Sequence, residues 1–159
     1  MMNRKTLVLL AMLGATYEAL ALPSYTVTGI GTLPGSNGSQ AYDINNSGQI
    51  AGTSYIGPGS DHAFLYDKGG MTDLGTLGRY ASYAESINDH GQIVGVLSRQ
   101  GGQADHAFLY SYGVMTDLGT LGGPVSWAYD INSHGQVVGI SQTAGRPPPS
   151  GMPSCTKTA

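Results

Sequence analysis

The sequence predicts an all-β protein built from tandem, four-stranded antiparallel repeats. Three related segments, VTGIGTLPG, MTDLGTLGR and MTDLGTLGG, begin at residues 27, 71 and 115, which gives a period of 44 residues. Each full period contains four short runs rich in β-branched and aromatic residues, separated by turns that contain glycine. No run shows the apolar spacing of a helix. Four strands in about 40–45 residues are typical of a β-propeller blade, so we expect a propeller-like but incomplete array of blades.

The chain begins with a segment that predicts a secretory signal peptide at 1–21. Arg4 and Lys5 precede an apolar run, and the sequence ALA at 19–21 matches a signal peptidase site. Glu18 interrupts the apolar run too early for a transmembrane segment. We therefore expect an extracytoplasmic protein, located in the periplasm, at the cell surface or in the medium.

Three tandem repeats are predicted within residues 22–145. They span 27–70, 71–114 and 115–145, and the third is truncated because it lacks the strand that reads DHAFLY in the first two. In the second repeat the strands are MTDLGTL, SYAESIN, GQIVGVLS and DHAFLYSYG.

In two strands of the second repeat, the order of apolar residues predicts which faces of the strand are buried. In DHAFLY, Ala107 and Leu109 should face one way, and Phe108 and Tyr110 the other. The run QIVGV is apolar on both faces, as expected of a strand that is covered on both sides.

The amino-acid composition limits the kinds of molecule that the protein is expected to bind. The chain has seven basic and ten acidic residues, a formal net charge of −3, and no basic run, which argues against binding to nucleic acid. Charged residues make up only 11% of the sequence, against about 25% in an average protein, whereas glycine is abundant, with 25 residues. Cys155 is the single cysteine, so no intrachain disulfide is expected.

The motifs HAFLY, MTDLGTLGG and DIN-x-x-GQ resemble the HAF family of extracellular repeats, which occur in tandem in secreted bacterial proteins. The resemblance covers the chain that follows the predicted signal peptide. It implies an extracytoplasmic location and a repeat architecture, but no activity, cofactor or catalytic residue. The second copy departs from the pattern, since Ser86 stands where the other copies have Asp43 and Asp130.

The segment 146–159 fits no strand of the repeat. It is either a disordered, proline-rich tail or an out-of-frame reading of the missing third HAF strand. If the codons of 151–159 are read from the third base of the first codon, they allow His-Ala-Phe-Leu-Tyr. The nucleotide sequence in that frame distinguishes the two interpretations. In either case the last repeat is incomplete, and we expect an exposed sheet edge through which the chain could associate with itself.

The segment DINNSGQIAG at 43–52 begins like a calcium-binding loop, and near-copies follow at 86–95 and 130–139. No copy has the glutamate that an EF-hand loop needs at its twelfth position. The weak candidate calcium ligands are Asp43, Asn45, Ser47, Asp130 and Asn132. No other cofactor is expected.

A β-hairpin is the favoured interpretation of the same segment. Asparagine can bond its own backbone two residues on, and glycine supplies a positive φ. The residues that mark the turn in each copy are Asn45, Gly48, Asn88, Gly91, Asn132 and Gly135.

His62 and His106 open the HAF strand of the first two repeats, each directly after an aspartate, Asp61 or Asp105. They could form a ring of Asp-His pairs that binds metal or transfers protons. The favoured interpretation is structural, because a residue that recurs in every repeat more often satisfies strand ends than performs catalysis.

An enzymatic function is not favoured, although a secreted hydrolase acting on polysaccharide remains an alternative. A glycosidase needs two closely placed carboxyl groups, and Asp67, Glu85 and Asp89 are the acids that do not recur between repeats. Packing in the core or at strand edges is the favoured interpretation for most of the aromatic residues, but several could stack on sugars or peptides: Tyr55, Tyr80, Tyr83, Tyr112, Trp127 and Tyr129. The sequence therefore favours a secreted, non-catalytic module that binds a glycan, a peptide or an envelope partner, with a calcium-stabilised array as a further alternative.

Overall fold

A computed structural model describes residues 25–57, 59–100 and 104–145. The predicted signal peptide at 1–21 and the predicted aberrant tail at 146–159 lie outside the described residues, as does Cys155.

The described residues form ten β-strands and no helix, which confirms the all-β prediction. The strands are β1 (Gly38–Ile44), β2 (Ile50–Tyr55), β3 (His62–Asp67), β4 (Gly70–Gly75), β5 (Ala81–Ile87), β6 (Ile93–Ser98), β7 (His106–Ser111), β8 (Val114–Gly119), β9 (Gly122–Ile131) and β10 (Val137–Thr143). The described residues contain no helix that is long and apolar enough to span a membrane.

The strands form three antiparallel sheets. Two are four-stranded, with the orders β1-β2-β3-β4 and β5-β6-β7-β8, and the third pairs β9 with β10. Every connection within a sheet joins neighbouring strands. The described residues do not close the three sheets into a ring.

Each four-stranded sheet ends with an MTDLG strand, whereas the second and third repeats predicted from the sequence begin with that strand. Tight turns cause this offset, because they fold β4 back onto β3 and β8 back onto β7. Lys68 and Gly69 have φ values of 48° and 85°, and Tyr112 and Gly113 have 51° and 83°. Two successive residues with positive φ make the turn that matches the twist of a two-residue hairpin. The MTDLG segment therefore completes the sheet that contains the preceding HAF strand.

The core lies between the sheets, and the second sheet is covered on both of its faces. Ile93 and Leu97 of β6 belong to the core cluster shared with the first sheet, whereas Val94 belongs to the cluster shared with the third. Every residue from Ile93 to Leu97 is buried, as the QIVGV run predicts. The two-faced prediction for β7 is also confirmed.

The alternating side chains of β7 divide between the same two clusters. Phe108 and Tyr110 contact the first cluster, and Ala107 and Leu109 contact the second. The second sheet is thus the middle layer of the described structure.

Candidate functional site

The three DIN-type segments are β-hairpins that asparagine closes internally. Asn45 Oδ1 accepts hydrogen bonds from the backbone N–H of Ser47 at 3.1 Å and of Gln49 at 3.0 Å. The N–H of Gly48, whose φ is 77°, donates to the Asn45 carbonyl. Asn88 and Asn132 make the same bonds in their own loops. The side-chain oxygen that calcium would need is therefore engaged by the turn itself.

The asparagine amides also connect one hairpin to the next, a role that the sequence did not predict. Asn45 Nδ2 donates to the backbone carbonyl of Asn88 at 3.0 Å, and Asn88 Nδ2 donates to that of Asn132 at 2.9 Å. Asn132 Nδ2 donates to Gln136 within its own loop at 2.7 Å, and this asparagine is exposed. Each of the first two asparagines thus stabilises a turn and a contact between sheets.

The candidate calcium ligands do not surround a common point in one loop. Asp43 Oδ1 accepts the N–H of Ile44, and its Oδ2 accepts the N–H of Ile87 and the hydroxyl of Ser86, both at 2.9 Å. Asp130 Oδ1 also lies 2.9 Å from the Ser86 hydroxyl. The structure therefore brings Asp43 and Asp130 together at Ser86, whereas Ser47 is exposed in its loop. The described residues contain no group of three or more His, Cys, Asp or Glu side chains placed to hold a metal ion.

The departure of Ser86 from the aspartate pattern has a physical reason. Its side chain is buried between two carboxylates, and a hydroxyl can donate its single proton to one of them at a time. An aspartate at this position would place three carboxylates together without a donor among them. Serine in the middle sheet is the residue that reduces this repulsion.

The HAF histidines pair with aspartates of the MTDLG strand rather than with the aspartates that precede them. His62 Nδ1 lies 2.8 Å from Asp73 Oδ2, and His106 Nδ1 lies 2.9 Å from Asp117 Oδ2. Asp61 instead accepts a hydrogen bond from the Tyr83 hydroxyl at 3.2 Å. Each pair joins the third and fourth strands of one sheet.

The preceding aspartate of the second HAF strand is likewise engaged elsewhere. Asp105 accepts hydrogen bonds from the Ser98 hydroxyl at 3.0 Å and from the Arg99 N–H at 3.3 Å. The sequence does contain a signal for the actual pairs, since the histidine and its aspartate are 11 residues apart in both repeats.

Asp117 is held in its ionised form more firmly than an isolated aspartate. Burial acts to raise its pKa, but the hydrogen bonds from the Gly119 N–H, His106 and Arg79 outweigh burial and lower the pKa. Arg79 reaches Asp117 at 2.7 Å from the segment between the first two sheets. The side chains of this pair are 13% and 31% exposed. This His-Asp-Arg arrangement attaches the segment between the first two sheets to the second sheet, and its groups are bonded to one another.

The most accessible chemistry lies on the first strands of the sheets, where a β-bulge interrupts the pairing. The register shifts at Tyr42 in β1, at Glu85 in β5 and at Tyr129 in β9. A bulge leaves one residue unpaired and turns its side chain outward. It also brings the backbone close to the partner strand.

A glycine of the partner strand allows this close approach. Gly52, Gly95 and Gly139 lie opposite the bulges, and a Cβ at any of them would overlap the carbonyl oxygen of the bulged strand. The glycine of the QIAG, QIVG and QVVG segments is thus required by the bulge.

We call the outward side chains of the three bulged strands the bulge face. It comprises the bulge residue of each strand and the residue two positions before it: Gln40, Tyr42, Tyr83, Glu85, Trp127 and Tyr129. Tyr42, Trp127 and Tyr129 are 43%, 39% and 47% exposed. Trp127 and Tyr129 stand edge to face, with ring centroids 6.5 Å apart. The face therefore offers accessible aromatic surface.

The polar groups of the first two bulged strands, and those that contact them, are mostly uncharged. Tyr55 donates to Gln40 Oε1 at 2.8 Å, and its oxygen lies 3.4 Å from the Tyr42 hydroxyl. The hydrogen bond with Tyr55, together with burial, raises the pKa of Tyr42 to about 12. Burial and the neighbouring Asp61 carboxylate raise the pKa of Tyr83 to about 12, and burial raises the pKa of Glu85. Both phenols are therefore protonated hydrogen-bond donors at neutral pH.

The aromatic residues singled out in the sequence have different positions. Tyr83 and Trp127 lie on the bulge face, and Tyr55 lies beside it, in contact with Gln40 and Tyr42. Tyr112 is 93% exposed at the turn between β7 and β8, and Tyr80 immediately precedes β5. Sequence reasoning missed Tyr42, although its place directly before the DIN motif, which Tyr129 shares, is a usable signal.

Comparison with protein-family models, with curated proteins and with solved structures finds no significant match to this chain.

Proposed function

We propose that this chain is a secreted, non-catalytic module of HAF-type repeats whose bulge face binds an extracellular glycan. The observation that carries the proposal is the bulge face, where three bulged strands present accessible aromatic rings together with protonated phenols and one amide. The HAF-type motifs and the predicted signal peptide support an extracytoplasmic location.

The proposed architecture is an incomplete, propeller-like array of blades with a period of 44 residues. Contacts between successive sheets support it, because the same type of bond recurs at nearly this interval. The amide bonds from Asn45 to Asn88 and from Asn88 to Asn132 span 43 and 44 residues. Each four-stranded sheet would be one blade, with its bulged strand as the first strand.

The chemistry of the bulge face favours a glycan over a charged ligand. Aromatic rings offer apolar faces on which the C–H faces of sugars can stack, and hydroxyls and amides can both donate to and accept from sugar hydroxyls. The bulge face contains no lysine or arginine, and Glu85 is its only carboxylate. A face with this composition suits a neutral, hydroxyl-rich ligand.

A glycan array probed with the folded chain tests the proposal. We expect Trp127→Ala and Tyr129→Ala each to weaken binding by about tenfold or more, since aromatic residues dominate the energetics of binding sites. Tyr112→Ala is the matched control, because this tyrosine is exposed on a distant turn. A blank array, or an equal loss of binding in the Tyr112 variant, would overturn the proposal, and so would binding confined to peptides.

Glu85 supports a second candidate function, a secreted hydrolase that acts on polysaccharide. Burial raises the pKa of this carboxyl, as a general acid requires, and the second carboxyl that a glycosidase needs would have to come from outside the bulge face. A hydrolysis panel with the wild type and Glu85→Gln tests this candidate. Loss of a measurable activity in the variant, with glycan binding retained, would favour the hydrolase over the non-catalytic module.

A further inference from the structure

The outer edge of β10 and the cavity beside it differ from the same region of the other two sheets. Among the described residues β9 is the only strand that pairs with β10, and the last residue of β10, Thr143, also makes an isolated bridge with Leu121, whereas β2 and β6 each lie between two strands. A strand edge presents unpaired N–H and C=O groups to any segment that can adopt an extended conformation. The neighbouring sheets indicate which segment this edge would accept.

In both four-stranded sheets a phenylalanine packs on the glycine that faces the bulge. Phe64 lies opposite Gly52 in the pairing of β2 with β3, and Phe108 lies opposite Gly95 in the pairing of β6 with β7. A Cβ on Gly52 would approach the Phe64 ring to 2.6 Å, and a Cβ on Gly95 would approach the Phe108 ring to 3.0 Å. Both phenylalanines are fully buried. The absence of a side chain on this glycine therefore leaves room both for the carbonyl of the bulged strand and for the phenylalanine ring.

The corresponding position of β10 is Gly139, which lines an open, mostly apolar cavity. Its volume is about 80 Å³, well above the roughly 10–15 Å³ that one water needs. The three atoms nearest to a Cβ on Gly139 belong to the backbone of Trp127 and Ala128. The cavity is lined by Ala107, Leu118, Gly119, Thr120, Leu121, Ser126, Trp127, Ala128, Val137, Gly139, Ile140 and Ser141.

The residue that precedes this glycine is also buried to a different extent in the third sheet than in the first two. Ala51 in β2 and Val94 in β6 are fully buried, whereas Val138 in β10 is 45% exposed. In the register of the first two sheets, Ala51 and Val94 face the leucine of the HAF strand. Val138 lacks this leucine, and among the described residues no further sheet packs on its face as the third sheet packs on that of Val94.

We propose that β10 is a strand-acceptor site for a hairpin that carries the His-Ala-Phe-Leu-Tyr pattern. The incoming strand would run antiparallel to β10, with its phenylalanine opposite Gly139, its leucine opposite Val138 and its alanine opposite Ile140. Backbone hydrogen bonds along the edge supply affinity, and the cavity that admits the phenylalanine supplies specificity. The occupant is thus defined by its chemistry: an extended segment with one large aromatic side chain between two smaller apolar ones.

A synthetic peptide with the sequence of residues 105–119 tests this site on the full chain. The peptide contains the β7–β8 hairpin and no tryptophan, and Trp127 is the only tryptophan of the protein and lines the cavity. We expect saturable binding that changes the fluorescence of Trp127. Replacing the phenylalanine of the peptide by alanine (Phe108→Ala) should weaken binding by at least about 30-fold, the loss expected for a buried anchor residue. A peptide with Tyr112→Asn is the matched control and should bind at least as well as the parent, because Tyr112 lies at the exposed turn and asparagine favours that turn.

Three results would overturn the proposal. They are no saturable binding at millimolar peptide, equal binding of the parent and the Phe108→Ala peptide, and a dimer of the chain that the parent peptide does not dissociate. Conversion of a self-associated chain to a monomer by the parent peptide, but not by the alanine peptide, would support it. These measurements need no glycan, so their outcome is separate from that of the proposed function.

Discussion

The asparagine that links the hairpins offers the sharpest test of how the sheets hold together. Asn88 is 5% exposed, and its side chain makes four hydrogen bonds. In an Asn88→Asp variant the side-chain oxygen can still accept from the loop, but the two bonds donated by Nδ2 are lost. Gln92 can rotate its amide to face the new carboxylate, whereas the Asn132 carbonyl loses a donor and meets a negative charge instead.

The magnitude of this effect follows from the bond between the sheets. An unsatisfied buried polar group costs about 1–3 kcal/mol, so we expect Asn88→Asp to lower the free energy of unfolding by about 2 kcal/mol. Asn132→Asp is the matched control, since it changes the same loop chemistry but is exposed and donates only to Gln136. We expect it to cost about 0.5 kcal/mol or less, the range of ordinary surface substitutions.

Equilibrium urea denaturation of the three proteins at pH 7 measures both effects. An unchanged m-value would show that the variants differ in stability rather than in the extent of unfolding. Equal destabilisation by the two substitutions would refute the reasoning, because it would assign the whole effect to the turn and none to the contact between sheets.

Three further substitutions and a calcium titration test other parts of the structure. Ser86→Asp should cost about 2 kcal/mol at pH 7, through a lost hydrogen bond and the repulsion of three carboxylates. Because that repulsion raises the pKa of the introduced carboxyl above its unfolded value of about 4, the loss should shrink as the pH falls through the raised pKa, and the part due to repulsion should be absent below about pH 4 in urea titrations. Tyr112→Asn should stabilise the protein by about 0.5–1 kcal/mol in thermal unfolding, since asparagine tolerates the positive φ of this turn better than tyrosine. Asp117 has a lowered pKa in the folded state, so it contributes stability above about pH 4 that is lost as the pH falls through the folded pKa. The difference between wild type and Asp117→Asn should therefore narrow in acid. Calcium and chelator should leave the melting temperature unchanged, since the oxygens of Asp43 and Asn45 already accept hydrogen bonds from the protein.

Each of these expectations has a contradicting outcome. A pH-independent loss in the Ser86 variant would remove repulsion as its cause, and destabilisation by Tyr112→Asn would show that the tyrosine makes a contact that offsets its backbone strain. A stability difference for Asp117→Asn that persists in acid would contradict the linkage to its pKa. A rise in melting temperature with calcium would restore the calcium-stabilised array.

Sequence patterns were sufficient for the local structure, because turns depend on short-range chemistry. The Asn-x-x-Gly segments predicted hairpins, and the apolar QIVGV run predicted a strand covered on both faces. It was harder to predict which strands belong to the same sheet. Lysine and tyrosine are unusual at positive φ, so the two tight turns that attach an MTDLG strand to the preceding sheet, Lys68-Gly69 and Tyr112-Gly113, lack the usual Asn-Gly signal of such turns.

The sequence by itself determined the all-β class, the hairpins and the residues that recur in them, since period, turn chemistry and alternation are local properties of the chain. Only the tertiary structure decided which recurring residues meet. It placed His62 with Asp73, brought Asp43 and Asp130 to Ser86, and gave the asparagine a second partner in the next hairpin. These contacts join residues from 11 to 44 positions apart. They depend on how closely the bulged strands and the stacked sheets approach one another. The separation of two residues along the chain does not by itself tell whether their side chains are close in space.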